Sequence, residues 1–194
     1  PVLWLGNSDH HLDFPGTLSA PPRPYLDLLV GLAENVVRHG FKRVVFLNGH
    51  GGNDVPGRQA VFELRQRHRD ADGLLLLLAT YWSLGGKPFE RPVAGGWVQQ
   101  EMGHACEWET SMMLRLDPGQ VLPFASLDPV DATPPFHPAH RGWVTRERTP
   151  TGHIGHPSAA SAEKGEALFD VFSADAVQLL ERVRRWDGVS WSER

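Results

Sequence analysis

Length, composition and charge are those of an ordinary globular protein. The 194 residues suit one domain with a sizeable core, and 41% hydrophobic and 22% charged residues are typical of that class. A net charge of -4 and a pI near 6.2 argue against nucleic acid and acidic membrane surfaces as partners. Because Cys106 is the single cysteine, these residues form no disulfide among themselves, and we expect a cytoplasmic protein.

The first half of the chain alternates between predicted strands and helices. Residues 2–5 read as a short buried strand, and residues 22–39 place apolar side chains at helical spacing. A buried strand at 44–47 precedes a helix at 55–68, and a further strand covers 74–81. This alternation predicts a parallel sheet with helices on both faces.

The second half contains fewer regular elements. We expect a loop at 83–100, a helix at 104–114 and a long irregular excursion at 117–157, of the kind that is usually functional or forms oligomers. Residues 159–185 predict a long amphipathic helix with a break near Ser173. The side chains expected to face inward from the last helix and from the helix at 55–68 are Leu168, Phe169, Phe172, Val177, Leu180 and Val183, and Val61, Phe62 and Leu64.

A glycine-rich turn, residues 48–53, follows the strand at 44–47. Gly49, Gly51 and Gly52 remove Cβ atoms around His50, so the backbone can bend sharply and a ligand or metal can approach closely. Sites in open α/β sheets form at the carboxyl ends of strands, which makes His50 the first candidate functional residue. The alternative is a turn whose histidine only caps the next helix.

The helix predicted at 104–114 places three polar side chains on one face. His104, Glu107 and Ser111 are three and four residues apart, whereas Glu109 falls on another side. A histidine and a carboxylate on one face can be joint metal ligands, or a base and a ligand. The alternative is a solvated polar stripe, but the apolar neighbours indicate a buried helix in which unpaired charge is costly.

Two other segments lie at predicted strand ends. The loop at 10–17 carries His10 and His11 and can line the same rim, although a loop histidine is more often a surface residue. Trp82 follows the strand at 74–81 and is either a pocket wall or a core side chain. Cys106 reads as a small buried hydrophobe.

Four motifs together resemble the creatininase (creatinine amidohydrolase) family. They are NGHGGN at 48–53, GHACEWETS at 103–111, SDHHLDFPGT at 8–17, and GHPS with AEKG at 155–158 and 162–165. Their order matches the family and they cover nearly the whole chain, so the combined match is specific.

The resemblance implies a three-layer α/β sandwich with a mostly parallel central sheet flanked by helices. It implies a site for two divalent metal ions at the strand carboxyl ends, zinc with manganese or iron as alternatives. Family members cleave C–N bonds of amides, often cyclic ones, with a metal-activated water. The partners implied are a small-molecule amide substrate and further copies of the chain in a homo-oligomer, with a hexamer as one form.

The resemblance also implies roles for individual residues. His50 and Glu107 correspond to metal ligands, and His104 corresponds to the general acid/base. His11 and Trp82 fall where the family lines its substrate pocket. The remaining carboxylate, Glu109, is expected to support the site from behind the ligands.

The sequence departs from the family pattern in two places. The first metal-binding segment, E-x-H with a later aspartate, belongs on a strand before Pro1. We therefore expect a fragment of a longer protein, with residues 1–194 forming a single creatininase-like domain that lacks its N-terminal strand and first metal-ligand segment. Creatininase itself has tyrosine and glutamate where Gly51 and Gly52 stand, so the resemblance does not identify the substrate.

The leading functional hypothesis is a metal-dependent amidohydrolase acting on a non-peptide C–N bond. The alternative from another class is a catalytically silent creatininase-like binding or assembly protein without the metal centre. A hydrolase with Ser111 as nucleophile is disfavoured, because a serine in mid-helix lacks the exposed turn of a nucleophile elbow.

Overall fold

The computed structural model describes residues 1–131, 136 and 138–191, and within them it is an α/β protein. Its main elements, in chain order, are α1 (Pro22–Arg38), β1 (Arg43–Asn48), α2 (Asp54–Arg67), β2 (Leu75–Thr80), α3 (Glu107–Leu116) and α4 (Ala162–Arg185). Short 3-10 turns connect several of them. No helix in these described ranges is long and apolar enough to cross a bilayer.

The chain forms two compact units. The first contains residues 1–12, 16–84 and the described residues from 175 onward, and the second contains residues 13–15 and 85–174. The expectation of a single domain over residues 1–194 stays a prediction.

In the first unit, β1 and β2 form a parallel pair covered by α1 and α2. Residues 43–48 pair in register with residues 75–80, so that Asn48 lies opposite Thr80 at the carboxyl edge. The core side chains of the two helices are Tyr25, Leu29, Val30, Ala33, Ala60 and Leu64, with Val44, Phe46 and Leu76 of the strands packed against them. The predicted parallel sheet is therefore confirmed.

The bounds of the helices and strands predicted in the first unit are confirmed within two residues, apart from the strand at 2–5. The prediction that the strand at 44–47 is buried is wrong for Leu47, which is 54% exposed near the end of β1. Residues 2–5 form no strand, and Val2 and Trp4 are exposed; within the described residues the sheet consists of β1 and β2. Phe62 is exposed and not inward, because α2 packs through Gly57, Ala60 and Leu64. A Cβ at Gly57 would lie 2.8 Å from Leu78 Cδ1, so the helix approaches β2 closely on that face.

The second unit is built around α3 and the first half of α4. Trp108 of α3 contacts Phe172 of α4 with ring centroids 5.9 Å apart, and Leu168 is fully buried. A Cβ at Gly165 would lie 2.2 Å from the Ser111 carbonyl oxygen, so a glycine is needed where the two helices meet. The excursion that follows α3 is irregular, as predicted, and its His137 lies outside the described residues.

The last helix differs from its prediction in three respects. It begins at Ala162 and not at 159, because a 3-10 turn occupies Pro157–Ala159. It runs through Ser173 without a break. Val177 and Leu180, expected to face inward, are exposed.

Candidate functional site

The glycine-rich turn after β1 is held by the side chain of Asn48. Its Oδ1 accepts a hydrogen bond from the backbone N–H of His50 (3.1 Å), and its Nδ2 donates to the His50 carbonyl (2.9 Å). The same Nδ2 donates to Thr80 Oγ1 at 3.0 Å, which ties the turn to the end of β2. Because Asn48 is buried, these bonds fix the position of His50 relative to the sheet.

The His50 ring is oriented by a backbone carbonyl from another part of the chain. Its Nδ1 lies 3.0 Å from the Asn7 carbonyl oxygen. Since a carbonyl only accepts, Nδ1 carries the hydrogen, and the Nε2 lone pair is the one that can bind a ligand. The His50 side chain makes no capping bond to the 3-10 turn that follows, which argues against the helix-capping alternative.

The carbonyl that orients His50 is itself held in place. Asn53 Oδ1 accepts from the backbone N–H of Asn7 at 2.8 Å, and Asn53 Nδ2 donates to Asn48 Oδ1 at 3.2 Å. The side-chain amides of Asn48 and Asn53 and the backbone of Asn7 thus form one connected set of hydrogen bonds around the imidazole of His50. Metal-binding histidines commonly have their second ring nitrogen anchored in this way.

Two further imidazoles lie beside His50. His10 and His11 belong to a 3-10 turn at Asp9–His11, and one ligand atom from each of the three histidines lies within 4.8 Å of the others. The His11 ring is buried and its Nδ1 is 2.8 Å from Ser8 Oγ. The structure therefore brings His11, predicted to line the substrate pocket, together with His50; its substrate role stays a prediction. It also adds His10, which the sequence had marked only as a loop histidine.

Gly52 accommodates these rings because it has no side chain. A Cβ at this position would lie 2.2 Å from the Asn7 carbonyl oxygen. It would also lie 3.0 Å from His50 Cε1 and 3.1 Å from His10 Cε1. Any other residue would displace the carbonyl or the rings, so the glycine is required for their close approach.

Burial favours the neutral form of two of the imidazoles. It lowers the pKa of His50, and the hydrogen bond to Asn7 opposes this effect only in part. The pKa of His10 is lowered by burial and then by the nearby His50, against a smaller opposing effect of Asp9. Neutral imidazole is the form that binds metal ions.

Trp82 lies at the same edge of the sheet as the His50 turn. Asn48 and Thr80, the last residues of β1 and β2, are paired, so the two chain segments that follow them start next to each other. These segments are Gly49–His50 and Tyr81–Trp82. The Trp82 ring is partly buried and packs edge-on against Tyr81 at 4.9 Å. This position is compatible with a pocket wall, and its substrate-binding role stays a prediction.

In the second unit, His104 lies before α3 and not within it. Its backbone exchanges two hydrogen bonds with Ile154, of 2.9 Å and 2.7 Å. Ala105 then adopts a left-handed conformation with φ +43°, and α3 begins at Glu107. The prediction that His104 and Glu107 share a helix face is therefore wrong, because the chain turns between them.

The Glu109 carboxylate lies beside His104. Its Oε2 accepts a hydrogen bond from the backbone N–H of Ala105 at 2.5 Å and lies 4.0 Å from His104 Nδ1. Burial raises the pKa of Glu109, and the bond from Ala105 opposes this rise. A histidine with a carboxylate behind one ring nitrogen is a common arrangement for proton transfer.

Glu107 has a different environment, because its carboxylate is fully buried and paired with a lysine. Lys164 Nζ lies 2.6 Å from Oε1, and the backbone N–H groups of Gln99 and Val98 donate to Oε2 at 2.7 Å and 3.1 Å. These contacts support a buried ion pair. The metal-ligand role of Glu107 stays a prediction. Sequence inspection missed Lys164, and its one signal was the lysine within AEKG.

The Ser111 hydroxyl is engaged in backbone hydrogen bonds. It donates to the Glu107 carbonyl at 2.5 Å and accepts from the Ser161 N–H at 3.1 Å. Ser111 is also fully buried. A serine in this setting has a structural role, which agrees with the earlier argument against a nucleophile.

Comparison with known proteins identifies the family. The profile described as creatinine amidohydrolase matches residues 1–180. The chain is 32% identical over 188 residues to the mycofactocin precursor peptide peptidase of Mycobacterium ulcerans, covering 96% of this chain and 65% of that protein. It is 30% identical over 173 residues to the creatinine amidohydrolase of Pseudomonas putida, covering 86% of this chain and 64% of that protein.

Solved structures agree with this match. A crystal structure of creatinine amidohydrolase superposes with a TM-score of 0.69 at 25% identity, covering 87% of this chain and 66% of that one. Creatininase structures include a zinc–zinc form and a manganese form. The chain spans about 65% of the length of its curated relatives. The match over residues 1–180 shows that the chain belongs to the creatininase family.

Proposed function

We propose that this chain is part of a metal-dependent amidohydrolase that cleaves a C–N bond with an activated water. The observation that carries the proposal is the placement of His50. Its ring sits at the carboxyl end of β1, its Nδ1 is anchored on the Asn7 carbonyl, and two other imidazoles lie beside it. Membership of the creatininase family supports the same chemistry.

The donor set fits a divalent cation. Imidazole nitrogens are good ligands for zinc, manganese and iron. The ring of His50 is oriented by its bond to the Asn7 carbonyl, and burial lowers its pKa, which favours the neutral form. His50 would hold the ion, and the proposal extends to two ions per site. When bound, such an ion polarises the scissile carbonyl and makes a water molecule a better nucleophile.

His104 is the proposed general acid/base. The backbone pairing with Ile154 fixes its position, and the Glu109 carboxylate 4.0 Å from Nδ1 favours a ring that gains and loses a proton. In this role His104 gives a proton to the nitrogen that leaves when the C–N bond breaks. Glu109 orients the ring and does not itself react.

The substrate is proposed to be an amide, and two classes are candidates. A non-peptide amide follows from the likeness to creatinine amidohydrolase, and a peptide bond from the likeness to mycofactocin precursor peptide peptidases. Trp82 is proposed as a wall of the substrate pocket in either case.

Hydrolysis assays with a matched pair of variants test the proposal. The zinc-loaded protein is offered creatinine, small cyclic amides and a short peptide, and product amine is measured for the parent, His104→Gln and the exposed control His140→Gln. We expect His104→Gln to lower kcat by about 10²- to 10⁴-fold, with zinc content and the control unchanged. Equal activity of His104→Gln would contradict its role, and zinc binding without turnover of any amide would support a silent binding protein.

Self-association and a cytoplasmic location complete the proposal. Light scattering after size-exclusion chromatography gives the number of copies directly, with a hexamer as the expected form. A monomer at micromolar concentration would contradict the proposed assembly without affecting the hydrolase proposal.

A further inference from the structure

We propose that His10 is a metal ligand, so that His10, His11 and His50 together form a three-imidazole cation site. The inference deepens the proposed function, on which its biological use rests, by naming ligands that the family motifs do not assign. It concerns residues of the first unit only, and each is placed by contacts that the structure shows.

The first support is the spacing of the rings. The centroids of His10 and His11 are 4.0 Å apart, and those of His10 and His50 are 5.7 Å apart with the ring planes nearly parallel. One ligand atom of each histidine lies within 4.8 Å of the others. A tetrahedral zinc ion with nitrogen ligands at 2.0–2.1 Å holds its nitrogens about 3.3 Å apart. The rings therefore need to close by about 1.5 Å at most, which small side-chain rotations supply.

The second support is the anchoring of two of the rings through Nδ1. His50 Nδ1 is bonded to the Asn7 carbonyl, and His11 Nδ1 lies 2.8 Å from Ser8 Oγ. Ser8 is itself held, because its backbone N–H donates to Ser19 Oγ at 2.7 Å. In both rings the remaining nitrogen, Nε2, points away from its anchor. This is the arrangement that orients histidines for metal binding.

The third support is the backbone that faces the cluster. The rings of His10 and His50 both lie against Gly52, where a Cβ would be 3.1 Å and 3.0 Å from their Cε1 atoms. A glycine at this point lets two imidazoles approach one another from separate segments of the chain, 40 residues apart by number. The cluster is thus built by the fold, and chance proximity of surface side chains does not account for it.

The competing account is that His10 only packs against its neighbours. An aromatic ring of similar size would then serve equally well, which makes His10→Phe the decisive variant. His10→Gln preserves a polar side chain but not the imidazole. The exposed His39, in the same unit, provides a control for the loss of any one histidine.

Metal titration separates the two accounts without measuring activity. Zinc affinity is measured by competition with a chromophoric chelator, and the visible absorption of bound Co²⁺ reports the nitrogen ligands. We expect His10→Phe, His10→Gln and His50→Ala each to weaken zinc binding on the order of 100-fold or more and to change the Co²⁺ spectrum. His39→Ala should bind as the parent does. Circular dichroism on each variant confirms that it is folded.

The outcomes also separate this inference from the proposed function. Parent-like zinc binding by His10→Phe, with loss in His50→Ala, would overturn the role of His10 and leave the hydrolase proposal intact. Parent-like binding by His50→Ala would overturn the three-imidazole site. An intact site with no turnover of any amide would uphold the inference and overturn the proposed function.

Discussion

Replacing Lys164 by methionine should destabilise the protein strongly, because it leaves the carboxylate of Glu107 buried without its counter-ion. The two side chains are 4% and 0% exposed, and their charged atoms are 2.6 Å apart. Removing one partner of a buried ion pair typically costs about 3–5 kcal/mol. Backbone N–H groups of Val98 and Gln99 still donate to the carboxylate in this variant. We therefore expect the free energy of unfolding to fall by about 3 kcal/mol, the lower end of that range.

The matched control is Lys87→Met. Lys87 Nζ lies 3.0 Å from Glu90 Oε1, but these side chains are 60% and 62% exposed. Exposed pairs contribute less than about 1 kcal/mol. The two variants remove the same chemical group, so the difference between their free energies of unfolding isolates the effect of burial.

Urea denaturation followed by circular dichroism gives these free energies. The double variant Glu107→Leu/Lys164→Met should lose less stability than the sum of its two single variants, because it leaves no unpaired buried charge. If Lys164→Met is no less stable than Lys87→Met, the account of Glu107 as a buried ion-pair partner is refuted. Zinc titration of folded Glu107→Gln then tests the prediction that Glu107 is a metal ligand. A zinc affinity like that of the parent supports the ion pair, and a large loss of affinity supports a metal ligand.

Three further results are expected. Gly52→Ala should lower the free energy of unfolding by about 1–3 kcal/mol in thermal denaturation, because the new Cβ overlaps the Asn7 carbonyl oxygen. Gly51→Ala is the control and should change little, because there is open space around Gly51. Equal losses in the two variants would contradict the close approach at Gly52. Ala105→Gly should raise the free energy of unfolding by about 0.5–1 kcal/mol, because φ +43° strains alanine and not glycine, and a decrease would show that the backbone there is not left-handed. Hydrogen bonds from the side chain and backbone of Ser190 lower the pKa of Asp187 to about 2. The stabilising effect of the Asp187 carboxylate should therefore be complete above its ordinary pKa of 3.8 and vanish as the pH falls through about 2. An NMR titration of Ser190→Ala should show a higher pKa for Asp187, and an unchanged pKa would contradict the role of Ser190.

Local patterns in the sequence were sufficient for the regular elements of the first unit. The apolar spacing of residues 22–39 and the apolar runs at 44–47 and 74–81 predicted α1, β1 and β2 within two residues. The pattern was not sufficient to identify the buried face of α2. Phe62 is more apolar than Gly57, yet the glycine faces the sheet because the helix lies close to Leu78.

The sequence by itself determined the α/β class, the family and the position of His50 after an apolar strand, because short-range periodicity and contiguous motifs encode these features. Only the tertiary structure decided which side chains meet. It paired Glu107 with Lys164, 57 residues away, and placed His10 beside His50. A carboxylate in the first turn of a helix has the same local pattern whether it binds a metal, faces water or pairs with a buried lysine. The difference lies in long-range contacts and burial, which depend on how distant segments pack.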